Sequence, residues 1–406
     1  MTNTQKIILG CLGLIASCLL VAVGFLAMDA YHSTWTQPLG PALSLPTYTP
    51  GLASVPPTET PFQSQPVSIV FTATPTLIPL ASTPLGGTGG VPTSLPTVPV
   101  EAPAFAACGG PPLMTLLVVG SDARSDSYNY GLGDVIRIVR ADFVARRVTI
   151  LEFPRDLWVE IPDIADNING QDHEKLNQSY LYGNPGFGYT DDPAQGPGLM
   201  ARTLDLNFGV RPDHYVAVNM RTFENIVNAV GGIDIDLPYT IDGRTADDTR
   251  RSLLFVEGPH HLNGQQALQL ARIRIDGVFE RTDAQNLVLC ALRDKLTSPS
   301  VVGDIPELIA SFQDNVQTDL SPEQISQLAC LGTQMSPEDI VFAAFPSELF
   351  TQARVYDPVF KGRVFVWDVD FNILREYVRQ FNAGTWPTAE PPGDASDEDQ
   401  PISVCP

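Results

Sequence analysis

Met114-Thr-Leu-Leu-Val-Val-Gly120 is a short, nearly continuous apolar run that stops at the turn Ser121-Asp122-Ala123-Arg124. Such a run is the pattern of a strand buried on both faces, as in the middle of an α/β sheet. Working outward, Val135 to Val144 and Arg147 to Phe153 read as two further strands joined by a tight turn. Met200 to Phe208 reads as a helix and His214 to Met220 as a strand. Phe223, Ile226, Val227 and Val230 then fall at i, i+3, i+4 and i+7, one apolar helical face closed by Gly231-Gly232. Ile233 to Leu237 alternates as a strand, and helices are expected over Asn263 to Arg272 and Thr282 to Leu296. A further helix opens at Ser321, where Ser321-Pro322-Glu323-Gln324 supplies an N-cap, a first-turn proline and a capping-box glutamine. Asp339 to Phe345 is a late strand and Phe371 to Phe381 a final helix. This alternation predicts an α/β fold, a mixed central sheet covered by helices on both faces, in a single domain over residues 108–383.

Flanking that domain, the chain changes character. Ile7 to Met28 is 22 consecutive uncharged, mainly apolar residues, enough to cross roughly 30 Å of hydrocarbon. Lys6 before it and Asp29 after it favour an inside N-terminus. The reading adopted is a cytoplasmic start (1–6) and a retained transmembrane helix (7–28). A lipid on Cys18 and a cleaved leader are the competing readings. Residues 29–107 hold 15 Pro among many Thr, Ser and Gly, with only Asp29, Glu59 and Glu101 charged, which predicts an extended, semi-rigid stalk. Residues 384–406 form an acidic tail. No Lys or Arg occurs between Lys6 and Arg124, which suits export, so a single-pass cell-membrane protein with its domain outside is expected. Four cysteines then lie outside the span. Cys290 and Cys330 sit on helices expected to share a core, which predicts a Cys290–Cys330 disulfide, with Cys108–Cys405 as the second pair.

The 406 residues carry a formal net charge of −22, from 46 acidic against 24 basic side chains. That balance argues against nucleic acid as a partner, which needs a basic face. The basic set is 20 Arg and four Lys, and arginine's planar fork suits placed contacts with phosphate or carboxylate. There is no phosphate loop, no Gly-x-Ser-x-Gly elbow and no His-Glu-x-x-His zinc helix; His260-His261 reads as a polar loop. What stands out are polar groups at strand ends. Asp122 follows the first buried strand and Asp134 opens the second. If the strands are neighbours, two carboxylates meet at one edge and could hold Mg²⁺, though on spacing alone two turn aspartates are the readier reading. Pro154-Arg155-Asp156 follows the third strand, and Glu174-Lys175-Leu176-Asn177 reads as an exposed helical turn. Arg272-Ile273-Arg274 shares a side only in an extended stretch, while Arg281 and Gln285 share a helix face.

In this order, however, the pieces resemble a family. Gly120-Ser121-Asp122-x-Arg124, Asp134, Pro154-Arg155-Asp156, Lys175-Leu176-Asn177, His214-Tyr215-Val216, Val230-Gly231-Gly232-Ile233, Gly258-Pro259-His260 with Leu262-Asn263-Gly264, Ala271-Arg272-x-Arg274, Arg281 and Gln285 are similar to the motifs of the LytR-CpsA-Psr proteins of the cell envelope. The resemblance implies an Mg²⁺-dependent phosphotransferase that moves a glycopolymer from a polyprenyl-(pyro)phosphate carrier to peptidoglycan through a phosphodiester. By motif match, Asp122 and Asp134 would carry Mg²⁺. Arg155, Arg272, Arg274, Arg281 and Gln285, with Lys175 and Arg124, would hold phosphate oxygens. Asp122, Arg155 and Arg281 form the implied catalytic set, with Asp122 the first candidate for general base. A carrier-lipid pyrophosphatase and a non-catalytic prenyl-phosphate binding module are the competing classes. The sequence departs from the family in a short Arg274–Arg281 loop, in Glu280, where glycine is common, and in Ala284 and Asn286, where an arginine and a glutamine are frequent.

Overall fold

Met114–Gly120 lies in an inner strand of the main sheet in the computed structural model of the chain, which describes residues 35–47, 105–124, 128, 130–168, 170–186, 188–244, 250–273, 278–298, 301, 315–387 and 402–405. In chain order the elements are β1 (Leu113–Ser121), β2 (Gly133–Asp142), β3 (Arg147–Glu152), β4 (Trp158–Glu160), β5 (His173–Lys175), α1 (Gln178–Gly183), α2 (Gln195–Phe208), β6 (His214–Asn219), α3 (Met220–Ala229), β7 (Ile233–Leu237), β8 (Ile241–Asp242), β9 (Leu254–Phe255) and β10 (Gly258–Leu262). They continue with α4 (Gly264–Arg272), α5 (Val278–Thr297), β11 (Gln317–Thr318), α6 (Pro322–Gln334), β12 (Ile340–Ala344), β13 (Thr351–Asp357), β14 (Gly362–Asp368), α7 (Phe371–Ala383) and β15 (Ile402–Val404). The main sheet runs β11-β6-β1-β2-β3-β12-β15. It is mixed: β1 is parallel to β6 and β3 to β12, while β1–β2, β2–β3, β11–β6 and β12–β15 are antiparallel.

Both faces are covered, as the apolar pattern of β1 requires. On one side Leu117, Val119, Ile136 and Ile138 pack against Tyr180 of α1, Leu199 and Leu204 of α2, and Leu374 and Val378 of α7. On the other, Met114, Leu116, Ala141 and Phe342 meet Cys290 of α5 and Leu331 of α6. A satellite core forms where α3, α4 and α5 pack with β7 and β10. The helix at Ser321 starts as its sequence dictates, with Ser321 Oγ accepting from the Gln324 amide and Gln324 Oε1 accepting from the Ser321 amide.

Residues 47–104 form a separate unit that, apart from Thr47, lies outside the described residues, as do the expected span over 7–28 and residues 388–401 of the tail. Among the described residues no helix is long and apolar enough to cross a membrane. The beginning of the expected stalk is not free chain. The Leu39 amide donates to the Leu320 carbonyl at 3.1 Å, Arg211 Nη2 donates to the Pro46 carbonyl at 2.6 Å, and Leu43 and Leu45 pack on the core. Gly40 allows this approach, since a Cβ there would stand 2.6 Å from the Thr318 carbonyl oxygen. The tail likewise returns, and residues 402–404 pair with β12 at the sheet edge.

The disulfides correct the sequence reading. Cys108 pairs with Cys330 and Cys290 with Cys405, not Cys290 with Cys330. Cys330 lies on a half-buried flank of α6 facing the turn at residues 107–109, where Gln327 Nε2 also reaches the Gly109 carbonyl. Cys290 faces the core, beside which β15 ends and delivers Cys405. Strand pairing of a distant tail segment decided the partners. His260-His261 is likewise not a loop; it lies in β10, paired with β7.

Candidate active site

The turn after β1 and the start of β2 meet at an irregularity in the ladder. Gly120 pairs with Val135 and Ser121 with Gly133, so Asp134 is the extra residue of a bulge. Bulges re-aim a side chain out of the strand's alternation, and here the effect is to place Asp134 at the strand end with Asp122. The Leu132 amide donates to Asp122 Oδ1 at 2.7 Å, and the Asp122 amide donates to the Leu132 carbonyl at 3.1 Å, so the two loops fix each other. Gly131 permits the approach, because a Cβ there would lie 2.9 Å from the Ala123 nitrogen.

Two separate motifs converge on Asp134. Arg155 Nη1 donates to Asp134 Oδ1 at 2.5 Å, and its Nε donates to Asp156 Oδ2 at 3.2 Å. Lys175 Nζ donates to Asp156 Oδ1 at 2.7 Å, and Asn177 Nδ2 reaches Asp134 Oδ1 at 3.5 Å. Backbone bonds repeat the connection: the Asn177 amide to the Arg155 carbonyl and the Gly133 amide to the Asn177 carbonyl, both at 3.1 Å. Burial works against charge on Arg155, but Asp134 and Asp156 outweigh it and raise its pKa above the ordinary arginine value. The site therefore keeps a permanent cation on its rim.

Lys175 is not on an exposed helical turn as its sequence suggested. It lies in β5, paired with β4, and its strand neighbour Glu174 is fully buried. Burial, then the nearby Asp357 carboxylate, pushes the Glu174 pKa up to about 7. A folded-state value raised from 4.5 means that stability is highest below pH about 4.5 and falls as pH rises through about 7. Glu174→Gln is therefore expected to be more stable than wild type at pH 8, by on the order of 2–3 kcal/mol, with the difference vanishing near pH 4. Melting curves at the two pH values test this; equal gaps at both would refute it.

Beside this rim opens a cavity of about 540 Å³, between β1, β2 and β6 below and α3, α4 and α5 above. Its walls are apolar: Val118, Val135 and Val218 from the sheet, Phe223 and Ile226 from α3, Leu268 from α4, and Val288, Leu289 and Leu292 from α5. Its polar lining includes Asp122, Asp134, Arg137, Asn219, Arg272 and Gln285. Arg272 ends α4, whose N-terminus is closed by an Asn263–Gln266 capping box. Gln285 Nε2 donates to the Ala271 carbonyl at 3.2 Å, tying α5 to the end of α4.

Of the residues expected from the sequence, Asp122, Asp134, Arg272 and Gln285 line the cavity, and Arg155 and Lys175 join them through Asp134 and Asp156. Arg124 is exposed on the same turn as Asp122. Arg274 and the side chain of Arg281 lie outside the described residues. Sequence reasoning missed Arg137 and Asn219. The signal for Arg137 was present, a charged residue inside the apolar run Val135-Ile136-Arg137-Ile138-Val139.

Fold and rim together define an apolar cavity that carries carboxylates, arginines and a glutamine in its lining. The LytR_cpsA_psr family model matches residues 111–364, and the chain belongs to this family. Similar proteins include the polyisoprenyl-teichoic acid–peptidoglycan teichoic acid transferase TagV of Bacillus subtilis, 29% identical over 209 residues, which are 51% of this chain and 49% of TagV. TagU of Enterococcus faecalis, of the same description, is 28% identical over 221 residues, 53% of this chain and 64% of TagU. The chain thus spans 49% and 64% of the length of these relatives. The crystal structure of Bacillus subtilis TagV superposes with a TM-score of 0.50 at 24% identity, covering 68% of this chain and 98% of that one.

Proposed function

We propose that this protein is a glycopolymer phosphotransferase that takes its substrate from a polyprenyl-(pyro)phosphate carrier and joins it to peptidoglycan or another wall acceptor. The observation that carries this reading is the apolar cavity ending in two carboxylates and in arginines, a shape suited to prenyl chain inside and phosphates at the rim. Membership in the family and the names of its relatives support it. The acceptor hydroxyl attacks the glycan-bearing phosphorus, the bridging P–O bond breaks, and prenyl phosphate leaves with the electron pair. Asp122, fixed by the Leu132 amide, takes the hydroxyl proton. Arg155 and Arg272 neutralise the phosphate oxygens, joined in this reading by Arg274 and Arg281; phosphoryl transfer depends mainly on such positioning and charge.

Mg²⁺ is part of the proposal. Among the described residues no cluster of three His, Cys, Asp or Glu forms a closed metal cage, but Asp122 and Asp134 share one rim as hard oxygen donors, the set Mg²⁺ takes together with substrate phosphates. Bound there, it would offset charge on the phosphates. We place the domain outside the cell on a single N-terminal span, with carrier lipid in the adjacent membrane. The test is a reconstituted reaction of the full chain with a polyprenyl-pyrophosphate glycan and peptidoglycan, with products resolved. A phosphodiester-linked product is expected, and EDTA or Asp134→Asn should cut its rate by about 100-fold. Glycan phosphate released to water would make the protein a pyrophosphatase, and binding without turnover a carrier-binding module. Full rate in EDTA would remove the metal.

A further inference from the structure

Arg137 stands in the middle strand of a sheet, flanked in register by Val118 of β1 and Glu152 of β3. It is only 2% exposed. Its Nη2 donates to Glu152 Oε2 at 2.8 Å and to Gln285 Oε1 at 3.2 Å, and its Cζ lies 5.8 Å from the centre of the Phe342 ring. Those two bonds use the two hydrogens of Nη2. A guanidinium carries five N–H groups, and Nε and Nη1, with the remaining three, are buried without an acceptor. Arginine buried in an apolar wall with its fork incompletely paired is costly, and a strand interior has no need of it. The side chain nevertheless lines the cavity with Asp122, Asp134, Arg272 and Gln285.

We propose that Arg137 is a substrate-binding residue that receives the phosphate nearest the prenyl chain, with Glu152 and Gln285 as positioning residues that aim its fork. This rests on the carrier reading above. Depth selects the phosphate. Asp134 and Arg155 lie at the rim, whereas Arg137 sits three residues further along β2 and Arg272, across the cavity lining, is exposed. Of two linked phosphates, the one attached to the apolar chain enters deeper. It is also the one that gains charge when the bridging P–O bond breaks, because it departs as prenyl phosphate. An arginine already desolvated and held by two partners stabilises that charge without reorganising.

The test measures binding of farnesyl monophosphate and of farnesol, two probes that share a tail and differ in the anion, to the full chain in detergent. Wild type is expected to prefer the monophosphate. Arg137→Met with Glu152→Gln, which removes both charges at nearly constant volume, should lose at least about tenfold in monophosphate affinity and nothing in farnesol. Arg137→Lys keeps the charge facing Glu152, and so the fold, but not the fork. It should lose roughly three- to tenfold for the monophosphate alone. Wild-type monophosphate affinity in these variants, or equal losses for both probes, would overturn the assignment and leave the carrier reading standing. A wild-type chain that does not distinguish the two probes would instead remove the carrier reading, and this inference with it.

Discussion

Arg155→Ala is expected to lower glycopolymer transfer by about a thousandfold while moving stability by no more than ~1 kcal/mol. The asymmetry follows from where the side chain sits. Its side chain is 16% exposed, with the guanidinium between Asp134 and Asp156, and fills no core position. Losing a partly solvated ion pair at a rim costs little, and Asp156 keeps Lys175 as a partner at 2.7 Å. The reacting phosphates, in contrast, lose a cation whose charge is secured by two carboxylates. Asp134 would also lose the bond at 2.5 Å that orients it, so its share of any metal contact weakens in the same variant. Arg155→Lys should recover part of the rate, since it restores the charge but not the two-point geometry. Lys175→Ala, one step removed through Asp156, should cost less than Arg155→Ala. Turnover of Arg155→Ala at the wild-type rate on a polyprenyl-pyrophosphate glycan would sink the assignment.

How much of this was legible in the sequence differs between layers. The central strands were, because a buried strand writes a continuous apolar run, and Met114–Gly120 became an inner strand of the sheet. The helix at Ser321 was, because capping is local chemistry. The rim residues were legible only as an ordered set of motifs. Nothing in Lys175-Leu176-Asn177 says that Asn177 will hydrogen-bond both to Arg155 and to Gly133 beside the Asp134 bulge; that connection is made by backbone bonds between segments some 20 and 40 positions apart. The cavity was not legible at all. Its apolar walls are the same valines and leucines that would fill a solid core, and only the packing leaves the space. Arg137 could have been noticed as a charge in an apolar run, yet its partner Glu152 is fixed by strand register, which a single sequence does not reveal. Tail docking failed for a related reason: residues 402–404 add to the sheet edge through backbone pairing, to which the composition of an acidic tail gives no clue.

The Cys290–Cys405 bridge is expected to make one of the largest contributions to stability that a pair of substitutions can remove. It closes a loop of 115 residues, for which restriction of the unfolded chain alone is worth on the order of 4–5 kcal/mol. Cys290→Ala with Cys405→Ala should therefore lower the melting temperature by roughly 10 °C or more in an oxidised preparation. The loss should not stop at stability. Cys405 follows β15, whose pairing with Val341 to Ala343 covers the edge of β12, and without the bridge that strand loses its covalent anchor to α5. Cys290 belongs to α5, the helix that also presents Gln285, Val288, Leu289 and Leu292 to the cavity, so loosening it reaches the site. The Cys108–Cys330 bridge provides the contrast. Its loop of 222 residues predicts a cost larger by only about 0.6 kcal/mol in the same chain-entropy picture. It fastens the turn at residues 107–109 to α6, whose residues do not line the cavity. Both double alanine variants should melt lower, but only Cys290→Ala with Cys405→Ala should also weaken binding of a prenyl phosphate. Melting curves and prenyl-phosphate titrations of the two variants decide it. An unchanged melting temperature after loss of Cys290 and Cys405 would show that the bridge does not hold the tail in place, and equal binding losses in both variants would break the link between α5 and the site.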